Sequence, residues 1–354
     1  MTAPVRRLAA ALGAGARIAI LAPSWGGIGH LPDRTTRALN ALRDLGVNPV
    51  FMPHASAVAD ELRPWVSATP QQRASDLHAA FADPHVDAVL CAIGGDHSAQ
   101  MLPFLDMDLI AASPKVLCGY SDATVLLHAI HRETGLVCFY GPAFLPQFGE
   151  IGGPDAEMVE QLCRMVMKGG IVPGDVPDFP WQADESREQS DAQGRPRQRH
   201  TAEPRRVLRA GKAVGPLMPA CLPSLRHLLG TRWQPRLTGA LLLLEAPGEG
   251  YDVRRADADL THLANAGIFA EIAALVLGRN DGWSDEDVAR LDRIVLEFTA
   301  GTGIPVLAGI PCSHASPMLA LPIGSLSEID GLSLRVLEPV VAARKSSGTD
   351  VQIT

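Results

Sequence analysis

The chain has 354 residues, of which 47% are hydrophobic and 20% charged, and its formal net charge is -8. Two domains are expected, because single domains usually contain about 100 to 200 residues. A net negative chain lacks the overall basic surface that nucleic acids attract, so we do not expect a nucleic-acid partner. The six cysteines are scattered without a CxxC pair, which indicates buried thiols in a reducing compartment and no zinc site.

The N-terminus resembles a signal peptide only superficially. Arg6 and Arg7 precede an apolar run over residues 8–12, but this run is short and ends at a glycine, and Arg17 opens a stretch typical of a buried first strand. The sequence has no apolar segment of the roughly 20 residues that a membrane span needs. We therefore expect a soluble, cytoplasmic protein that has no membrane partner.

Short apolar runs alternate with helix-like stretches over the first 165 residues. This alternation is typical of strands that crossover helices join into a mainly parallel sheet. The predicted strands are residues 17–22, 48–52, 87–92, 115–118 and 136–140. Helices are predicted over residues 33–45 and 71–82 and from about Ala123. The sequence therefore predicts an α/β fold.

Composition changes after Gly169-Gly170. Residues 173–209 carry prolines, an acidic cluster and seven arginines with almost no apolar periodicity, which predicts a linker and long exposed loop over 169–212. The arginines have two interpretations, phosphate binding or an ordinary solvated loop.

Regular apolar patterning resumes at Ala213 and predicts a second α/β domain. Its helices are expected over residues 222–229, from Leu260 and over 286–300, and its strands over 240–245, 273–277 and 306–310. The predicted domains are therefore 1–168 and 213–344, joined by 169–212 and followed by a frayed polar tail at 345–354.

The stretch Gly119-Tyr120-Ser121-Asp122-Ala123 approximates a nucleophile elbow, with alanine in place of the final glycine. An elbow holds its serine on a tight strand-to-helix turn, so the residues two before and two after it must be small. The backbone N–H of Asp122 would then supply an oxyanion donor. The alternative is that Ser121 or Asp122 merely caps the helix that follows.

Paired glycines, Gly94 and Gly95, follow another predicted strand. Glycines at the carboxyl end of a parallel strand let the backbone approach a ligand closely, and this pair would supply the other oxyanion donor. The alternative is a plain strand-to-helix turn with Asp96 as its N-cap. The spacing is not G-x-G-x-x-G, which argues against a nicotinamide enzyme.

A nucleophilic serine needs a base, and the base needs an orienting acid. His314 lies in a proline-bounded loop, residues 311–317, that would hold an imidazole rigidly over a cleft. Glu245 ends a run of four leucines, where a carboxylate is costly without a partner. The alternative for Glu245 is simple exposure at the strand end. His128 and His131 are expected as partly exposed helix-face residues.

Several collinear segments together resemble the LD-carboxypeptidase family of serine peptidases. They are residues 19–24, 93–96, 119–124, 140–142, 244–245, 314 and 321–324, and the likeness spans residues 17–338. The resemblance implies a Rossmann-like N-terminal domain, a C-terminal α/β domain, an active site in the cleft between them and a homodimer, with no metal or organic cofactor. It also implies that Ser121 is the nucleophile, His314 the general base and Glu245 its orienting partner.

The family has two main branches. One removes terminal D-alanine from muropeptides, and the other, the microcin C self-immunity branch, cleaves the amide between an aminoacyl group and a modified nucleotide. Gly94-Gly95-Asp96-His97-Ser98 looks more like the Gly-Gly-Asp-Asp-Ser of the immunity branch than the Arg-Gly-Gly-Tyr-Gly of the muropeptide branch, and residues 181–209 resemble the extended loop of the immunity branch. This resemblance implies substrate contacts by Asp96 and Trp181, and a small peptide or an aminoacyl-nucleotide as substrate.

Two stretches depart from the family pattern. Met218-Pro219-Ala220-Cys221-Leu222 stands where the family usually has Gly-Gly-Asn-Leu, and Ala246 follows Glu245 where another acid is common. We predict a Ser-Glu-His amide hydrolase of the immunity type. The alternatives are a muropeptide LD-carboxypeptidase and a non-catalytic ligand-binding protein on the same fold.

Overall fold

The chain forms two α/β halves, each built around its own sheet. The computed structural model describes residues 4–57, 61–248 and 250–344. It confirms the predicted α/β class and the mainly parallel first sheet. The tail predicted at 345–354 lies outside the described residues.

The first sheet begins with the five strands that the sequence predicts. They are β1 (Arg17–Leu21), β2 (Asn48–Phe51), β3 (Ala88–Cys91), β4 (Val116–Gly119) and β5 (Phe139–Tyr140). These strands run parallel in the order β5-β4-β3-β1-β2. Strands covered by helices on both faces read as continuous apolar runs, which is why this half is well predicted.

Helices connect these strands. They are α1 (Gly27–His30), α2 (Pro32–Asp44), α3 (Pro70–Ala82), α4 (Met107–Ala112), α5 (Ala123–Thr134) and α6 (Ala156–Val166), with a 3-10 helix at Ser98–Phe104 and a π-helical turn at Phe144–Phe148. A capping box starts α3, because Thr69 Oγ1 accepts the N–H of Gln72 and the Gln72 side chain accepts the N–H of Thr69. Gly135, in the left-handed region at φ 74°, ends α5.

The second sheet has eight strands and a parallel centre. Further strands along the chain are β6 (Gly174–Asp175), β7 (Trp181–Gln182), β8 (His200–Thr201), β9 (Arg206–Arg209), β10 (Lys212–Cys221), β11 (Leu241–Glu245), β12 (Ala274–Gly278), β13 (Val306–Ile310), β14 (Leu321–Pro322), β15 (Leu326–Asp330) and β16 (Ser333–Val336). The second sheet runs in the order β6-β16-β15-β10-β11-β12-β13-β9, with β10 to β13 parallel.

Helices of the remaining chain are α7 (Arg187–Gln193), α8 (Leu222–Arg226), α9 (Val253–Asn265), α10 (Ile268–Glu271) and α11 (Asp285–Phe298). Helix α9 begins at Val253, earlier than the Leu260 expected, because the side chain of Asp252 accepts the N–H of Arg255 and caps it. Strand β10 was not predicted, since Pro216 and Pro219 within it are signals of loops.

The two halves are not separated cleanly along the chain. Strand β14 comes from the predicted second domain but pairs antiparallel with β5 of the first sheet. His128, on α5 of the first half, is fully buried, and its Nε2 lies 2.9 Å from the carbonyl oxygen of Pro219 on β10. Burial lowers the pKa of His128 to about 4, so a neutral imidazole donates this hydrogen bond. The expectation of a partly exposed helix-face position is therefore wrong for His128.

The segment 169–212 is not an exposed linker. Strands β7 and β8 pair antiparallel within it, on either side of α7 in the sequence. Strand β6 pairs with β16, and β9 extends the second sheet beside β13. The side chains of Gln182, Ser190 and Arg197 are buried. The expectation of an unstructured linker is wrong, because strand pairing with β13 and β16 and ion pairs with Glu150 and Asp292 join the segment to residues that lie far away in sequence and leave no local signal.

All seven arginines of this segment have partners in the chain. Arg187 and Arg197 pair with Glu150, Arg195 with Glu185, Arg199 with Asp155, Arg205 with Asp178, Arg206 with Glu203 and Asp292, and Arg209 with the Thr299 hydroxyl. These pairs do not fit either of the two interpretations given above for the arginines, a solvated loop or an open phosphate-binding site. The pairs with Glu150 and Asp155 fasten the segment to the first half and those with Asp292 and Thr299 fasten it to the second, whereas Glu185 and Asp178 lie within the segment itself.

Among the described residues, none of the helices has the length and apolarity that crossing a bilayer requires.

The cysteines are free, and five of them are buried as expected, whereas Cys163 is half-buried.

Glu150 offers a test of this attachment, because its Oε1 lies 3.1 Å from the Nε atoms of both Arg187 and Arg197. Removing one partner of a buried ion pair costs about 3–5 kcal/mol. We expect Glu150→Gln to loosen the segment and to speed tryptic cleavage after Arg197 and Arg199, measured by limited proteolysis with mass spectrometry. Glu286→Gln, which removes an exposed pair with Arg290, is the control and should leave the cleavage rate unchanged. Equal rates in all three proteins would contradict the attachment.

Candidate active site

Ser121 lies on a strained turn between β4 and α5. Its φ of 59° is the only positive value for a non-glycine residue within the described part of the chain. A side chain at Gly119 would bring its Cβ to 2.7 Å from Cβ and Sγ of Cys91 and to 3.1 Å from the Cβ of Ala123. The tight turn anticipated for this stretch is present, and it requires small residues on both sides. Such a backbone costs about 1–3 kcal/mol and persists where the surroundings enforce it.

Ser121, His314 and Glu245 form one hydrogen-bonded line. The Nε2 of His314 lies 3.0 Å from Ser121 Oγ, and its Nδ1 lies 2.9 Å from Glu245 Oε2. An ionised carboxylate only accepts, so Nδ1 carries the proton and Nε2 is left to accept from the serine hydroxyl. Glu245 is 1% exposed, which rules out the alternative of simple strand-end exposure.

Tyr140 is a site residue to which the sequence assigned no role. Its hydroxyl donates to Glu245 Oε1 at 2.6 Å and accepts the backbone N–H of Ser121 at 3.1 Å. Burial, and then the nearby charge of Glu245, raises the pKa of Tyr140 well above its usual range, so the hydroxyl keeps its proton. One signal was available: Tyr140 ends β5 opposite Gly119, at the same sheet edge as the elbow.

The paired glycines lie against the serine. A Cβ on Gly94 would stand 2.8 Å from Ser121 Oγ and 3.6 Å from the backbone nitrogen of Asp122. Gly95 has a φ of 137°, and a Cβ there would stand 2.4 Å from the hydroxyl oxygen of Ser24. Both positions therefore exclude a side chain, as expected where backbone must approach a reacting group.

Asp122 joins this loop to the elbow. Its Oδ2 accepts the N–H of Ser98 at 2.8 Å, and the Ser98 hydroxyl donates to the Asp122 carbonyl at 2.7 Å. Its side chain makes no capping hydrogen bond to α5, so the capping alternative is wrong for Asp122. Asp96 is exposed, and the N-cap position of the following 3-10 helix is His97.

A cavity of about 460 Å³ opens over this line of residues. Both halves and the segment 169–212 line it, with side chains or backbone of Trp25, Ile93, Gly94, Gly95, Tyr120, Ser121, Pro146, Asp184, Glu185, Ser186, Arg187, Glu188, Pro247, Gly248, Asp281, Gly282 and His314. The cleft expected between the halves is therefore present. Asp96 and Trp181 are not among the described residues that line it.

Trp181 is engaged elsewhere. The guanidinium of Arg199 stacks 3.7 Å from the centre of its ring, and its Nε1 donates to Glu157 Oε1 at 3.3 Å. Arg187, by contrast, lines the cavity and donates to the carbonyl of His314 at 3.0 Å. The segment thus lines the cavity with residues 184–188, and Arg187 among them also contacts the loop of His314, a role that the sequence did not indicate.

A serine on a strained elbow that meets an imidazole backed by a buried carboxylate is the arrangement that serine hydrolases use on many folds. Family models identify which of them this chain resembles. The LD-carboxypeptidase N-terminal domain matches residues 18–141, and the LD-carboxypeptidase C-terminal domain matches residues 214–329. The chain belongs to the LD-carboxypeptidase family and is a serine-type carboxypeptidase, which confirms the resemblance and argues against a non-catalytic binding protein.

Relatives come from both branches of this family. The microcin C7 self-immunity protein MccF of Escherichia coli is 32% identical over 75% of this chain and 77% of its own length. The murein tetrapeptide carboxypeptidase of Pseudomonas aeruginosa is 30% identical over 90% of this chain and 94% of its own length. A solved structure of MccF in complex with aspartyl sulfamoyl adenosine matches 95% of this chain and 100% of that chain, with a TM-score of 0.84 and 28% identity.

The Tyr140 hydroxyl gives a direct test of the site. Hydrogen bonds to charged groups contribute about 1.5–3 kcal/mol, so we expect Tyr140→Phe to lower kcat by about 10- to 100-fold, because Glu245 loses a donor and the Ser121 N–H loses its acceptor. Steady-state kinetics on a cleaved amide substrate measure this. Tyr251→Phe, which removes a buried hydroxyl 2.8 Å from Asp259 and away from the cavity, is the matched control. A Tyr140→Phe enzyme with unchanged kcat would refute this role.

Proposed function

We propose that this carboxypeptidase hydrolyses an amide bond by a Ser-His-Glu mechanism. The main support for this mechanism is the chain of hydrogen bonds that runs from Ser121 through His314 to Glu245. The Ser121 oxygen attacks the carbonyl carbon while His314 Nε2 takes its proton, and Glu245 stabilises the imidazolium. The imidazolium then gives that proton to the leaving amine as the C–N bond breaks. Water, activated by the same histidine, attacks the acyl-enzyme and releases the acid.

The negative charge on the carbonyl oxygen would be held by backbone N–H groups. The assigned donors are Asp122, at the start of α5, and the Gly94-Gly95 turn beside the serine. Fixed donors of this kind are each worth about 10²- to 10³-fold in kcat because they need no reorganisation when charge develops. The absence of side chains at Gly94 and Gly95 leaves room for the substrate carbonyl.

The proposed substrate is a peptidyl or aminoacyl-nucleotide conjugate, as for the microcin immunity branch, with a role in self-immunity or detoxification. The overlap with MccF bound to an aminoacyl sulfamoyl adenosine supports this, as does the Gly94-Gly95-Asp96 sequence. The wall that residues 184–188 add to the cavity also suits a substrate with a bulky leaving group. Contacts from Asp96 and Trp181 to such a substrate stay predictions.

A second candidate is release of a terminal D-amino acid from a muropeptide in peptidoglycan recycling. The 30% identity to a murein tetrapeptide carboxypeptidase, over nearly the full length of both chains, favours it. Both candidates use the same three residues, so only the substrate separates them.

The deciding experiment compares an aminoacyl-sulfamoyl adenosine with an L-Lys-D-Ala-terminated muropeptide by mass spectrometry. We expect wild type to cleave the nucleotide conjugate and Ser121→Ala to lose at least about 10⁴-fold in kcat, since no other group supplies the nucleophile. Ser75→Ala, which alters an exposed serine on α3, is the control and should retain full activity.

Cleavage of the muropeptide alone would select the second candidate. Near-normal turnover by Ser121→Ala on either substrate would overturn the mechanism. As an independent check, a fluorophosphonate probe should label wild type and Ser75→Ala but not Ser121→Ala.

Two further expectations, a homodimer and a cytoplasmic location, stay predictions from the family resemblance and the sequence. Sedimentation-velocity ultracentrifugation at micromolar concentration should give a mass twice that of the chain. A single species with the mass of one chain would contradict the dimer.

A further inference from the structure

One carboxylate in the cavity has no role in the mechanism above. Asp281 lies in the loop between β12 and α11 and lines the same cavity as Ser121 and His314. Its position is fixed by close packing, since a Cβ on Gly248 would stand 2.1 Å from the Asp281 carbonyl oxygen and 2.8 Å from its Cβ.

The other charged side chains of the cavity already have partners. Asp184 pairs with His200 at 2.8 Å, and Glu185 accepts from both Arg195 and the N–H of Gln198. Arg187 pairs with Glu150, and Glu188 accepts from the hydroxyl of Ser186. These groups are satisfied without a ligand.

Asp281 differs from them. Within the described residues its Oδ1 is buried and has no hydrogen-bond partner. Burial raises the pKa of Asp281, and the charges of His314, Arg187 and Arg197 oppose this rise. A buried acceptor left without a donor costs about 1–3 kcal/mol. Asp281 also lines the cavity, so its carboxylate suits a donor that arrives with the ligand.

The charge of the cavity indicates which donor fits. Its described lining carries four carboxylates, those of Asp184, Glu185, Glu188 and Asp281, and one guanidinium, that of Arg187. Since Asp184, Glu185 and Glu188 already have partners, Asp281 is the described lining carboxylate left to pair with an incoming group, and a carboxylate favours a cation over a neutral or anionic group. An α-ammonium lies two bonds from the carbonyl carbon that Ser121 would attack, so it enters the same cavity as the scissile bond.

We propose that Asp281 recognises a primary ammonium group on the acyl residue beside the scissile amide, so that the preferred substrate carries a free α-amine. This inference rests on the proposed function and narrows it. It favours aminoacyl conjugates over peptidyl conjugates whose α-nitrogen is acylated. Asp281 would act in binding, through a charge-assisted hydrogen bond from the ammonium to its carboxylate.

The test uses two matched probes, an aminoacyl-sulfamoyl adenosine and its counterpart with hydrogen in place of the α-amine. We expect wild type to favour the amino probe by about 10- to 100-fold in kcat/KM, as a charge-assisted hydrogen bond predicts. In Asp281→Asn this ratio should fall close to one. Asp257→Asn, which removes an exposed carboxylate on α9 outside the cavity, should keep the wild-type ratio.

Two outcomes would overturn the inference: a preference for the amino probe that persists in Asp281→Asn, or a wild type that does not discriminate. A third outcome would also overturn it: Asp281→Asn could lower kcat/KM equally for both probes and shift the acid limb of the pH profile of kcat/KM. Asp281 would then act on the titration of His314 and not on the ammonium.

If wild type cleaves neither probe, the proposed function fails, and the recognition step is still testable by calorimetry. The Ser121→Ala variant should bind the amino probe more tightly than its counterpart. The double variant, which carries both Ser121→Ala and Asp281→Asn, should bind the two probes equally. Equal binding of both probes by Ser121→Ala would refute the role of Asp281.

Discussion

The buried carboxylate of Glu245 is the constraint on which the site depends. The Glu245 side chain at the end of β11 is 1% exposed, and a carboxylate buried to this degree is stable only when hydrogen-bond donors surround it. Its two oxygens accept from Tyr140 and His314. Tyr140 belongs to the first sheet, whereas His314 follows β13 of the second. The donors therefore meet the acid only when the halves are docked, so the packing that satisfies the charge also assembles the reactive line.

The Tyr140 hydroxyl extends this dependence to the elbow. It accepts the N–H of Ser121, the one described non-glycine residue with positive φ, while its proton goes to Glu245. The strained backbone of the serine and the charge of the acid are thus stabilised by the same oxygen atom. A rotation of the Tyr140 side chain would break both hydrogen bonds, the one to Glu245 and the one from Ser121. Through this shared hydroxyl, the two residues keep a fixed relative position although they lie far apart along the chain.

Local signals in the sequence predicted the frame of this site. Apolar runs identified the parallel strands, and small residues on either side of Ser121 indicated the elbow. The contacts of Tyr140 and the packing of 169–212 were not predictable, because they depend on partners such as Glu245, Glu150 and Asp292 that lie far away in sequence. A run of charges has the same composition whether it is solvated or paired, and only the folded chain distinguishes the two cases.

The segment 169–212 contacts both Glu150 and the loop that carries His314. Glu150 holds Arg187 and Arg197, and Arg187 in turn donates to the carbonyl of His314. The loop that carries the base and the wall formed by residues 184–188 are therefore anchored at the same carboxylate. Sequence changes in this wall must keep the anchor, since losing it would weaken the contact of Arg187 with the His314 loop, which the pairing of Ala183 with Ser316 also holds. The wall is thus free to vary in sequence at its exposed side and is constrained where Arg187 and Arg197 pair with Glu150.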